Sequence, residues 1–223
     1  MYKVLILPLA FELSPSDMED LARLVPAKRR EDVYRLRNVR DRQNTLLGEI
    51  LVRFEVCRTA GIRSGQLQFA YSPYGKPYIE ENLPFHFNIS HSGSYIACAF
   101  DDRPVGIDIE QIQAVDFSIV DRFFTESEQQ YIYHTEHERE ERFFEIWTKK
   151  ESFIKYNGAG LSMPLDSFSV CRNDSHGEAI FFHRIFQNTE VICHLCSEKP
   201  SPPENHILEW TSLKKFVFSG LHI

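Results

Sequence analysis

Apolar and polar positions change period several times along this chain, and each change marks an element. Lys3 to Leu9 is an apolar run that reads as a strand. Ser14-Pro15-Ser16-Asp17 then offers an N-cap, a first-turn proline and an acid, which predicts a short helix to about Leu24. Pro26 ends it, and a basic helical stretch runs to about Leu36. From Asp41 to Ala60, Leu46, Leu47, Ile50, Leu51 and Phe54 share one helical stripe that stops at Gly61, so this helix is expected to pack on a sheet. Strand signals follow at Phe69 to Tyr71, at Phe85, Phe87 and Ile89, at Tyr95 to Phe100 and at Val105 to Glu110, with a turn over Ser72 to Pro77. Asp101-Asp102-Arg103-Pro104 predicts that the last two form a hairpin.

A second helical block begins near Ser118 and restarts at the capping box Thr125-Glu126-Ser127-Glu128. It continues as a long helix from about Glu138 to Tyr156, ended by Asn157-Gly158-Ala159-Gly160. Strands are expected near Phe168 to Arg172, Ala179 to Ile185, Val191 to Cys196 and Ile207 to Trp210, with Pro200, Pro202 and Pro203 before the last. Helices followed by antiparallel strands thus occur twice. The expected fold is α+β, built as two similar halves over residues 1–104 and 105–223 and joined near Arg103 to Gly106, although no residue-level repeat is visible.

Composition narrows the class. With 43% hydrophobic and 26% charged residues in 223, the chain is that of a globular protein with a substantial core. Val4 to Ala10 is too short to span a bilayer and the N-terminus has no secretory pattern, which predicts a cytoplasmic protein without membrane contact. Five dispersed cysteines argue against a disulfide framework. Cys193-His194-Leu195-Cys196 has the spacing of half a zinc site, but no second pair supports it, and it reads as buried thiols on a strand. His134 and His137 sit in a highly charged segment that reads as a solvated helix end. A net charge of −7 speaks against nucleic-acid binding. Lys28, Arg29, Arg30, Arg35, Arg37, Arg40 and Arg42 are nonetheless crowded together, either as a solvated helical face or as a local grip on a phosphate-rich small ligand.

Two short segments carry the candidate chemistry. Trp147, Glu151 and Lys155 recur every four residues and share one helix face. In Val105-Gly106-Ile107-Asp108-Ile109-Glu110 the alternation sends Ile107 and Ile109 to one side of a strand and Asp108 and Glu110 to the other. Three carboxylates and a lysine meeting in one place would suit Mg²⁺, which prefers a few carboxylates plus substrate phosphates. Taken singly, each piece is ordinary.

Together with Tyr74-Gly75-Lys76-Pro77, Phe87-Asn88-Ile89-Ser90-His91-Ser92 and Gly160 to Asp166, these segments resemble the 4′-phosphopantetheinyl transferases of the Sfp-like type. Val105 to Glu110 matches the family's (V/I)GxDxE and Trp147 to Lys155 its WxxKE(S/A)xxK. The resemblance implies a pseudo-twofold, pseudo-dimeric monomer that moves the phosphopantetheine arm of coenzyme A onto a serine of an apo peptidyl or acyl carrier protein and releases adenosine 3′,5′-bisphosphate. It implies Mg²⁺ on Asp108, Glu110 and Glu151, with Glu151 and Lys155 as catalytic residues. It also implies Lys28, Thr45, Lys76, Ser90, His91, Asp108 and Lys155 as the coenzyme A-binding set, Lys28 toward the 3′-phosphate. Where family members often carry a second basic residue three positions after Lys28, this chain has Glu31; Arg29, Arg30 or Arg42 are the candidate substitutes. The carrier is expected at the segment Gln111 to Phe124 or after Gly158. Two other readings fit the residues: a metal-dependent hydrolase of coenzyme A or nucleotide pyrophosphates, and a non-catalytic module that binds coenzyme A or a carrier.

Overall fold

The computed structural model describes residues 2–80, 83–158, 160–171 and 179–218. The apolar run at the N-terminus forms β1 (Lys3–Pro8), and α1 (Pro15–Arg23) starts where Ser14 Oγ accepts the Asp17 N–H at 3.1 Å. Basic α2 (Ala27–Arg35) and long α3 (Val39–Ala60) follow, the latter ending on Gly61 in the left-handed region at φ 67°. Strands β2 (Phe69–Tyr71) and β3 (Pro77–Ile79) make a small hairpin whose turn needs Gly75 at φ 83°. Then come β4 (His86–Ser92), β5 (Tyr95–Asp101) and β6 (Gly106–Gln111).

The second block supplies α4 (Ser118–Phe123), α5 (Glu126–Tyr133) with its Thr125/Glu128 capping box, and α6 (Arg139–Asn157). It closes with β7 (Phe181–Gln187), β8 (Val191–Ser197), β9 (Glu204–Ile207) and α7 (Trp210–Phe218). One sheet has the order β4-β5-β1-β9, all pairs antiparallel except β1 with β9; a second has the order β6-β8-β7, antiparallel. Among the described residues no helix is long and apolar enough to cross a membrane.

Layering follows from which faces are apolar. One side of the first sheet, with Leu5, Leu7, Cys98 and Phe100, packs under α1, α3 and α7. Aromatic and aliphatic residues of α4, α5 and α6 cover the outer side of the second sheet. Between the sheets lie Val4, Ile6, Ala97 and Ala99 against Ile107, Ile109, Val191, Cys193 and Leu195. Cys193 and Cys196 are buried on β8.

Three expectations are corrected. The strands around Asp101 to Pro104 are not a hairpin: β5 pairs with β4 and β1, β6 pairs with β8, and the chain crosses between sheets at this point. Phe168 to Cys171 is not a strand, because side chains take the backbone groups that a ladder would have used. Lys150 Nζ donates to Leu165 O and Phe168 O, both at 2.6 Å, and Glu128 Oε1 accepts the Val170 N–H at 2.9 Å. Arg172, the predicted end of that strand, and Ala159 in the predicted helix stop lie outside the described residues. Finally, the last strand stops at Ile207, and Trp210 begins a helix that returns to the first core through Trp210, Leu213 and Val217.

Candidate active site

Strand β6 brings its two faces to different neighbours, as period two requires. Ile107 and Ile109 enter the layer between the sheets, while Gly106, Asp108 and Glu110 face α6. At Gly106 the helix backbone comes so close that an added Cβ would stand 1.9 Å from Ser152 O and 2.4 Å from Tyr156 N. Glycine here therefore serves the helix–strand contact.

That contact sets Lys155 on Asp108. Lys155 Nζ donates to Asp108 Oδ1 at 2.7 Å and to Ser90 Oγ at 3.0 Å, and Ser90 Oγ donates to the same Asp108 oxygen at 2.9 Å. Asp108 Oδ2 is buried with no hydrogen-bond partner among the described residues. Glu110 accepts from Ser92 Oγ at 2.8 Å, and the Trp147 side chain, one turn before Glu151, acts to lower its carboxyl against the larger effect of burial. Burial raises the carboxyl groups of Asp108, Glu110 and Glu151 above their ordinary values, and the Asp108 charge adds to the rise of the other two. Among the described residues, no three His, Cys, Asp or Glu side chains are grouped to hold a metal ion.

A pocket of about 250 Å³ opens beside this cluster, lined by Glu151, Lys155, Asn88, Ile154, the Tyr74–Pro77 turn, Gly158 and Gly160. Lys76 lends it backbone more than charge. Its ammonium is turned onto the carbonyls of Val105, Lys155 and Tyr156, capping the C-terminal end of α6, and burial pushes its pKa down to about 8. His91, exposed on β4, is not among the residues that line this pocket; desolvation by the surrounding protein and then the Lys155 charge hold it below the usual histidine value.

The other expected ligand residues are placed apart. Thr45 is half-buried on α3. Exposed Lys28 lines a second hollow of about 270 Å³ with Arg29, Asp32, Glu49, Arg53, Gln68 and Tyr71, which shares no lining residue with the first. Of the substitutes for a second basic residue, Arg29 is paired with Glu49 at 2.7 Å and Arg42 bonds the carbonyls of Leu36 and Arg37, while Arg30 Nε is buried without a partner among the described residues. In the segment Gln111 to Phe124, Ile112, Val115 and Phe117 pack against the second core, and Phe123 is exposed.

Sequence reasoning does not assign four contributors. The helical period puts Trp147 on the same face as Glu151 and Lys155 but does not reveal its influence on the Glu110 carboxyl. Lys150 is fully buried in an ion pair with Glu128 at 2.8 Å that joins α5 to α6. Asn88 and Ser92 went unassigned, though their alternation with Phe87, Ile89 and His91 was the available signal.

The chain is similar in sequence to known proteins. A family model described as the 4′-phosphopantetheinyl transferase superfamily matches residues 104–208, and one described as 4′-phosphopantetheinyl transferase, N-terminal, matches residues 10–102. The chain is 40% identical over 159 residues to 4′-phosphopantetheinyl transferase Sfp of Bacillus subtilis (strain 168), covering 71% of each. It is 39% identical over 178 residues to 4′-phosphopantetheinyl transferase psf-1 of Bacillus pumilus, 76% of each. Against 4′-phosphopantetheinyl transferase gsp of Aneurinibacillus migulanus it is 35% identical over 178 residues, 78% of this chain and 73% of that one.

Proposed function

Because this chain belongs to the 4′-phosphopantetheinyl transferase superfamily, we propose that it transfers the phosphopantetheine arm of coenzyme A to the serine hydroxyl of an apo carrier protein. The observation that carries the reading is the junction of Asp108, Glu110, Ser90 and Lys155 at the β6–α6 contact, beside a pocket that Glu151 also lines.

The residues fit a divalent cation in charge and donor type. Asp108 Oδ2 is a buried acceptor without a partner, and the two glutamates near it are carboxylates whose ionisation their surroundings disfavour. Such oxygens are hard donors of the kind Mg²⁺ takes. Asp108, Glu110 and Glu151 would hold it, and when bound it would supply charge neutralisation at the pyrophosphate.

The protein's own groups do the rest. In this reading Lys155 offers positive charge to a phosphate; its bonds to Asp108 and Ser90 at the edge of the pocket support that role. Among the described residues Glu151 has no hydrogen-bond or ion-pair partner, and its raised carboxyl is suited to take the proton of an incoming hydroxyl. The backbone of Tyr74 to Lys76 and the stretch at Gly158 and Gly160 form the wall for the nucleotide. Transfer of this kind depends on positioning and electrostatic stabilisation.

The test is the intact mass of an apo carrier protein after incubation with coenzyme A, Mg²⁺ and the enzyme. A gain of one phosphopantetheine arm, lost with EDTA, is the expected result. Unmodified carriers of several kinds, with coenzyme A consumed, would replace the reading with hydrolysis.

A further inference from the structure

Two open sheet edges meet in this molecule. Strand β4 ends one side of the first sheet and β6 ends one side of the second, and no backbone ladder joins them. Unpaired edges carry rows of backbone donors that must be answered. Here alternate side chains of β4 answer them. Asn88 Oδ1 accepts the Ile107 N–H at 2.8 Å, Ser90 Oγ the Ile109 N–H at 3.3 Å, and Ser92 Oγ the Gln111 N–H at 3.0 Å.

The same hydroxyls have a proton left to give. Ser90 directs its proton to Asp108 Oδ1 and Ser92 directs its own to Glu110 Oε2, at 2.9 and 2.8 Å. The ladder thus repeats every second residue on both strands, and each serine ties one backbone amide to the acid preceding it. Local space fits this arrangement. Gly93, just after Ser92, turns at φ 54° with Gln111 Oε1 2.6 Å from where a Cβ would stand, so Ser92 and Gln111 are held together from two sides.

We propose that Ser92 is a positioning residue: by accepting the Gln111 amide and donating to Glu110, it makes the contact between the two sheets fix where Glu110 points. Its role in transfer rests on the function proposed above. A group that orients an active-site ligand without touching the substrate costs about 10- to 100-fold when removed.

The experiment compares wild type, Ser92→Ala and Ser92→Thr in the full chain. Ser92→Ala should lower kcat roughly 10- to 100-fold while leaving the KM for coenzyme A within about twofold, and Ser92→Thr, which keeps the hydroxyl, should restore kcat. Amide hydrogen exchange gives a readout independent of activity: Gln111 should lose protection in Ser92→Ala and regain it in Ser92→Thr. Wild-type kcat in Ser92→Ala, or failure of Ser92→Thr to rescue, would overturn the role. If the wild type itself transferred nothing, the proposed function would fall, and the exchange pattern would decide the ladder alone. Unchanged Gln111 protection in Ser92→Ala would overturn it, and a selective loss there would support it.

Discussion

Burial raises the Asp108 carboxyl above its usual range, and its Oδ2 atom is enclosed without a partner, although Ser90 and Lys155 both bond Oδ1. A buried charge so incompletely satisfied lowers stability relative to a neutral side chain of the same shape. Asp108→Asn should therefore melt no lower than wild type, with a gain of up to about 1 kcal/mol, while carrier modification falls about 100-fold or more. A thermal melt and an intact-mass assay on the same sample check both halves; a less stable variant with full activity would refute the account. Lys76 is the opposite case. Its ammonium closes the carbonyl end of α6, so Lys76→Met should cost about 1–2 kcal/mol of stability and drop Tm by several degrees. A rise in the KM for coenzyme A with no change in Tm would instead return Lys76 to direct ligand binding.

At the scale of elements, α6 is held to the second sheet by polar ties as well as apolar packing. Thr148 Oγ1 donates to Phe144 O at 2.7 Å, so His194 on β8 donates from Nδ1 to Thr148 Oγ1, also at 2.7 Å. Burial, helped by the Lys149 charge, pushes His194 down to about 3. The sign follows from linkage: the unfolded chain takes up a proton near the ordinary histidine value and the folded chain does not. This contribution is present above about pH 6.5 and is lost as pH falls toward 3. His194 should thus pull Tm down between pH 7 and 4.5, against the opposite pull of the raised Asp101, Asp108, Glu110 and Glu151 carboxyls, and His194→Gln, whose amide can still donate to Thr148, should remove that pull so that its Tm falls less, or rises more, than wild type over this range. An equal slope in both proteins would contradict it.

The same elements show what the sequence made legible. The four-residue spacing of Trp147, Glu151 and Lys155 and the alternation at Gly106 to Glu110 were readable because helix and strand periods fix faces. The partners of those faces were not. Nothing local to Asp101 to Pro104 tells whether β6 turns back on β5 or crosses to β8, and nothing local to Phe168 reveals that Lys150 takes its carbonyl. The apolar spacing of Trp210, Leu213 and Val217 was a helical signal that the short strand before it obscured.

For the whole molecule, the question is whether the halves over residues 1–104 and 105–223 stand alone. Three contacts say that the first cannot. β9 covers the open side of β1, and α7 completes the first core with Trp210, Leu213 and Val217. The inner face of the first sheet, with Val4, Ile6, Ala97 and Ala99, is buried against residues of the second half: Val105, Ile107, Ile109, β8 and, from β7, Ile185 and Phe186. A fragment of residues 1–104 would expose that face, leave β1 as a bare edge and lose one wall of its core, an invitation to edge-to-edge association. Its conformational entropy cost would stay while much of the offsetting burial went. The fragment alone should show no cooperative thermal transition, and adding residues 105–223 in trans should restore one. A two-state melt of the isolated fragment would mean that the shared layer between the sheets is dispensable, and that the alignment of Ser92 with Glu110 must be held from within one half.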